Sequence, residues 1–99
     1  MFGKDMMAKL QKMQEQAQLS KENLDTITVR GEAGGNLVEV EMNGNRKLTN
    51  LSINKPLDQM EKSDLEDLLS VALNRAIQAA DAANEKEMAN SAKGIIPGM

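Results

Sequence analysis

Ninety-nine residues suffice for one small domain, in which Leu, Ala and eight Met supply most of the apolar volume and Phe2 is the only aromatic; a chain of this size buries about two-thirds of its unfolded surface, so a core this thin points to an oligomer. With neither Cys nor His, the chain has no thiolate, no disulfide and no zinc–sulfur site, and it lacks the commonest general base and metal ligand. A formal net charge of −3 argues against holding a polyanion by overall field, while leaving room for a local basic patch.

The opening MFGKDMMAKL places Lys4 and Asp5 where a signal peptide needs an apolar run. No stretch approaches the roughly eighteen apolar residues of a membrane span, so a cytoplasmic protein without a membrane partner is expected. From about Gly3 to Glu22 the pattern is helical. Met6, Leu10, Met13, Ala17, Ser20 and Leu24 recur every three or four residues and form one stripe. The stripe covers fewer than three heptads, too short for a self-sufficient coiled coil, so it must pack on something.

Then the period changes. Ile27 and Val29 alternate with Thr26, Thr28 and Arg30, which predicts a strand over Leu24–Arg30. Gly34–Gly35 marks a turn. Val38, Val40 and Met42 share one face of a second strand, with Glu39 and Glu41 on the other. Asn43–Gly44 is the preferred pair of a two-residue type I′ hairpin. A third strand is expected over Arg46–Asn54, ended by Pro56, which completes an antiparallel meander with one apolar face.

The final element is a long helix. Ser63-Asp64-Leu65-Glu66 reads as a capping box, and Asp64, Glu66 and Asp67 suit the positive end of the helix dipole. Leu65, Leu68, Leu69, Ala72, Leu73, Ala76, Ala80 and Ala83 form a stripe that narrows from Leu to Ala, allowing another backbone to approach closely. Residues 1–90 are therefore expected as one domain, with 91–99 (SAKGIIPGM) as a flexible tail. An enzyme is not expected. There is no phosphate-binding Gly-Lys-Ser/Thr and no GxGxxG. The Glu39/Glu41 pair sits on a solvated strand face, and the acidic run Asp58–Asp67 lacks calcium-loop spacing. No cofactor, metal or small-molecule substrate is called for.

Taken in order, "MFGK" with its Met/Gln/Lys-rich helix, the hairpin "VEVEMNGNRKLTNLSI", the helix "DLEDLLSVALNRAIQAA" and the closing "PGM" resemble the YbaB/EbfC family of small bacterial nucleoid-associated proteins, over nearly the whole chain. The resemblance implies an α+β protomer ordered α-β-β-β-α, an intertwined homodimer with projecting helical arms, and binding of double-stranded DNA in the nucleoid with bending or compaction. Regional charge agrees. Lys4, Lys9 and Lys12 face only Asp5 within residues 1–12, Arg46, Lys47 and Lys55 have no acid within residues 44–55, and Lys21 and Arg30 lie close by. These eight are the candidate DNA contacts, of the phosphate kind that positions a protein without reading sequence. A two-fold would present each segment twice. With no aromatic to stack on bases, a single strand is a poor ligand. The candidate dimer residues are Met6, Leu10, Met13, Leu65, Leu69 and Leu73. The alternative function is a non-enzymatic adaptor that uses the adaptable Met surface of the first helix.

Overall fold

A strand-forming middle lies between two helix-forming ends, and the structure, a computed structural model, describes the backbone of residues 2–95 and the side chains of residues 3–91. Helix α1 spans Phe2–Asp25. It contains no β-branched residue, and its Gln, Lys, Met, Leu and Ala are strong helix formers. It ends where Thr26, Ile27, Thr28 and Val29 begin. Thr26 N–H donates to the Asn23 carbonyl (3.1 Å), Ile27 N–H to Leu24 (3.2 Å), and Thr26 Oγ1 also donates to Asn23 (2.6 Å). Those bonds satisfy carbonyls that the helix end would otherwise leave bare.

Strands β1 (Thr28–Ala33), β2 (Val38–Asn43) and β3 (Leu48–Ile53) form an antiparallel meander in the order β1-β2-β3. The β1–β2 turn uses Gly34, Gly35 and Asn36, all at positive φ, conformations that Gly adopts freely and Asn tolerates. Val29, Gly31 and Ala33 lie opposite Met42, Val40 and Val38, and all point to one face. On the other face Arg30 opposes Glu41 and Glu32 opposes Glu39. The β2–β3 register shifts between Glu41 and Met42, leaving Thr49 as the extra residue.

Past a short 3-10 turn at Leu57–Gln59, helix α2 runs Lys62–Ile95, a length of about 51 Å at 1.5 Å per residue. It crosses the apolar face over β1 and β2. The core is Ala33, Val38, Val40, Met42, Ala72 and Ala76, with Val29, Leu65, Leu68, Leu69 and Leu73 half-buried around it. The narrowing of the stripe to Ala lets α2 lie against β1: a methyl on Gly31 would collide with the Ala72 carbonyl oxygen and the Ala76 nitrogen. Among the described residues the largest fully buried side chains are Val38 and Val40, each contributing about 1.5–3 kcal/mol. The chain is long and thin, 70 × 20 × 19 Å with a radius of gyration of 19.2 Å, against about 13 Å for a compact domain of 100 residues.

The architecture is the expected α+β, α-β-β-β-α order, but several details differ. Leu24 belongs to α1, and β1 runs to Ala33 instead of ending at Arg30, because Gly31 and Ala33 are the residues small enough to sit under α2. The third strand is trimmed to Leu48–Ile53. The β2–β3 turn is not type I′. Gly44 does not have positive φ; Arg46 does, at +65°. Arg46 N–H donates to the Asn43 carbonyl (3.1 Å) and Asn43 N–H to the Lys47 carbonyl (2.9 Å), the pattern of a type I turn followed by one left-handed residue. The capping box is absent too. Leu65 N–H bonds to the Glu61 carbonyl (3.0 Å), which makes Glu61 the capping residue and moves Ser63 into the first turn. Finally, Ser91–Ile95, read as tail, continues α2, and residues 96–99 lie outside the described part.

Candidate nucleic-acid interface

A phosphate contact needs a cation that water can reach and that no internal acid already holds. The eight candidate cations divide sharply on that criterion. Lys4, Lys9, Lys12 and Lys21 are all exposed on α1, and among the described residues none is in an ion pair. The pairs found are Arg30–Glu41 (3.2 Å), Arg46–Asp81 and Lys62–Glu66 (3.9 Å). Arg30 therefore lies on the outer sheet face beside three acids, Glu32, Glu39 and Glu41. Lys55 borders an open groove of about 460 Å³ that also holds Glu61, Asp64 and Asp67. Arg46 is committed to α2 through Asp81. Lys47 is exposed, and its backbone N–H donates to Asn43 Oδ1 (3.1 Å).

The arm carrying the free lysines is set by a polar joint at its root. Asn43, 8% exposed, accepts on Oδ1 from the Asn45 (2.9 Å) and Lys47 backbone N–H and donates from Nδ2 to Asp25 (3.3 Å). Asn45 Nδ2 donates to the same Asp25 oxygen (2.6 Å) and to the Lys21 carbonyl (2.9 Å). Gly44 N–H donates to the Leu24 carbonyl (2.8 Å), and a Cβ on Gly44 would stand 2.9 Å from that oxygen. The turn carrying Lys47 is thereby fixed to the helical turn carrying Lys21. Sequence reasoning took Asn43 and Gly44 for a hairpin tip and missed this network. An Asp closing the helix and an Asn on each side of Gly44 were its only traces.

Distance separates the arm from the acidic body. Asn23 Nδ2 donates to Glu87 (3.2 Å), tying the root of α1 to the acidic part of α2. Lys9 is about 21 Å up the helix from that point and Lys4 about 28 Å, whereas salt screens charge over about 8 Å at physiological strength. The acids that matter to the outer arm are therefore its own, Asp5 and Glu15.

The apolar stripe of α1 divides along its length. Ser20 and Leu24 are buried, and with Met13 and Ala17 they face Asn84, Met88 and Ser91 of α2 across an open groove of about 360 Å³. Met6 (61%) and Leu10 (55%) are exposed. Of the candidate dimer residues, Leu65, Leu69 and Leu73 are half-buried against the chain's own core. The structure adds apolar residues that the pattern did not single out. Leu48 (47%) and Leu51 (40%) of β3 share the apolar sheet side that α2 covers only over β1 and β2, and Val71 and Ile77 of α2 are exposed as well. Among the described residues no group of three or more acids could hold a metal, and no helix is long and apolar enough to cross a membrane.

Comparison with known proteins places this geometry. The model of the YbaB/EbfC DNA-binding family matches residues 2–95. A nucleoid-associated protein of Hahella chejuensis is 40% identical over 91 residues, covering 92% of this chain and 84% of that protein. Another, from Anaeromyxobacter sp. strain Fw109-5, is 38% identical over 96 residues, covering 95% and 93%. The crystal structure of an uncharacterized protein from Helicobacter pylori matches with a TM-score of 0.81 at 25% identity, over 93% of this chain and 97% of that one.

Proposed function

The chain belongs to the YbaB/EbfC DNA-binding family, and on that footing we propose that it is a non-enzymatic nucleoid-associated protein of the cytoplasm that holds double-stranded DNA between the helical arms of a homodimer. The observation that carries this reading is the set of exposed lysines on α1, engaged by no acid among the described residues, of which Lys4 and Lys9 stand well away from the acidic body. Cations spread along a helix meet phosphates without any demand on base sequence, so little sequence preference is expected. A net charge of −3 per protomer supplies no long-range attraction, which favours weak, readily reversed binding. Two arms acting on one duplex would bend or compact it.

The homodimer reading rests on the apolar residues left open. Leu48, Leu51, Val71 and Ile77 are exposed beside a core that is mostly Ala and Val. A second copy that covers them supplies the burial that one protomer lacks.

The test is a gel-shift titration of duplex DNA at two salt concentrations. Each phosphate neutralised contributes a slope of about −0.9 in log K against log salt. A slope of several units supports the reading. Salt-independent binding, or none, defeats it and leaves the adaptor alternative.

A further inference from the structure

We propose that Arg46 and Asp81 are positioning residues for DNA binding: their ion pair braces the root of the α1 arm through the β2–β3 turn and so sets the angle at which the arm meets the duplex. This rests on the reading of α1 as the DNA-holding arm. Three elements converge at that root, and each is tied to the other two. The turn is tied to α1 by Asn43 and Asn45 on Asp25, by Asn45 on the Lys21 carbonyl and by Gly44 on the Leu24 carbonyl. Helix α1 is tied to α2 by Asn23 on Glu87. Arg46 on Asp81 closes the triangle between turn and α2.

Arg46 is an unexpected residue for its backbone. The third turn position, at φ +65°, is one where Gly is normal and Asn acceptable. A long β-carbon-bearing side chain is tolerated in such a conformation when something else in the structure holds it there. The contact with Asp81 provides that, and it reaches 35 residues along the sequence. A left-handed residue held by the turn's own bonds and tied by its side chain to α2, at the root of a helix whose outer part, residues 2–12, extends about 16 Å beyond its contact with α2, is well placed to fix direction. A small rotation at the root moves the arm tip, with Lys4 and Lys9, by many times that displacement.

Two variants test the assignment. Arg46→Gly removes the guanidinium and leaves a residue suited to the turn. Asp81→Asn removes the charge from the other side and leaves the turn untouched. Three quantities are read on the full-length protein: bending of an end-labelled duplex by fluorescence transfer, the salt slope of binding, and the melting temperature. The expected result is that both variants change the bend in the same sense while the salt slope is unchanged, with Arg46→Gly melting no lower than the parent. The swap Arg46→Asp with Asp81→Arg should restore the parental bend. A salt slope that falls by about one unit per protomer in Arg46→Gly, with Asp81→Asn binding as tightly or tighter, makes Arg46 a phosphate contact and overturns the proposal. Lowered melting temperatures with an unchanged bend reduce the pair to a structural tie and overturn it as well. If the unaltered protein shows no salt-dependent binding, the proposed function itself falls, an outcome distinct from either of these.

Discussion

Gly31 and Gly44 hold their places because other backbone occupies the space where a side chain would go. At Gly31 the obstacles are the Ala72 carbonyl and the Ala76 amide nitrogen, neither of which can swing aside as a side-chain tip can. Gly31→Ala should therefore cost about 1–3 kcal/mol, the usual range for overpacking, or more if α2 cannot shift, and thermal melting will read it. Gly44→Val should also destabilise, through its approach to the Leu24 carbonyl and not through positive φ, because the φ of Gly44 is not positive. An unchanged melting temperature for either variant would mean that the packing of α2 or of the α1 end is looser than described. The lysines make the opposite case, since among the described residues the side chains of Lys9 and Lys12 are exposed and in no ion pair. Lys9→Glu with Lys12→Glu should leave folding intact, weaken DNA binding strongly and flatten the salt slope by about one unit for each phosphate no longer neutralised. Lys47→Glu alone should weaken binding less, and Arg30→Glu should change it little, because Arg30 stands among Glu32, Glu39 and Glu41. If Lys47 proves the more damaging site, the sheet end and not the arm carries the DNA.

The elements divide the work between them. Helix α2 is the spine of the fold: Ala72, Ala76 and Ala80 are fully buried, and Leu65, Leu68, Leu69 and Leu73 flank them. A charge at Leu69 would be dragged partly out of water with no partner, so Leu69→Asp should cost on the order of 2 kcal/mol or more and impair folding. Strand β3 differs. It is an edge strand whose Leu48 and Leu51 remain exposed, and exposed apolar edges invite association. Leu48→Lys with Leu51→Lys should preserve the circular dichroism spectrum of one protomer while shifting sedimentation from the proposed dimer to monomer. A double variant that still sediments as a dimer would place the two-fold elsewhere, with the Met6–Leu10–Met13 stripe as the next surface to examine.

On the scale of the whole molecule, the separation of charge outweighs its sum. The chain is acidic overall, yet its outer arm is cationic at a distance of more than two screening lengths from the acidic body. Raising salt should therefore weaken DNA binding without weakening the proposed dimer, since apolar burial is not screened. Sedimentation at the two salt concentrations of the DNA titration is the matching measurement. Loss of the dimer along with the DNA complex would indicate that ionic contacts hold the two protomers together.

The order of helix, three strands and helix was readable from the residues alone, because periodicity and β-branching are local properties: the Val38–Val40–Met42 alternation and the Leu-to-Ala stripe of α2 report which face of a segment avoids water, whereas the Met–Leu stripe of α1 marks a helix whose apolar face is buried only toward Ser20 and Leu24. The exposure of the α1 lysines was legible for the same reason, since charges off the apolar stripe of a helix face water. What tertiary structure decided involves partners far along the chain. Arg46 looked like a free cation, and Asp81 turns it into a brace from 35 residues away. Asn43 and Gly44 looked like a type I′ turn, but Asn45 meets Asp25 from 20 residues away, and the left-handed residue is Arg46 instead. Arg30 looked basic until strand register set it opposite Glu41. Local chemistry selects each element and its wet face; which charges remain available to a ligand depends on the neighbours that folding brings up, and no window of sequence contains them.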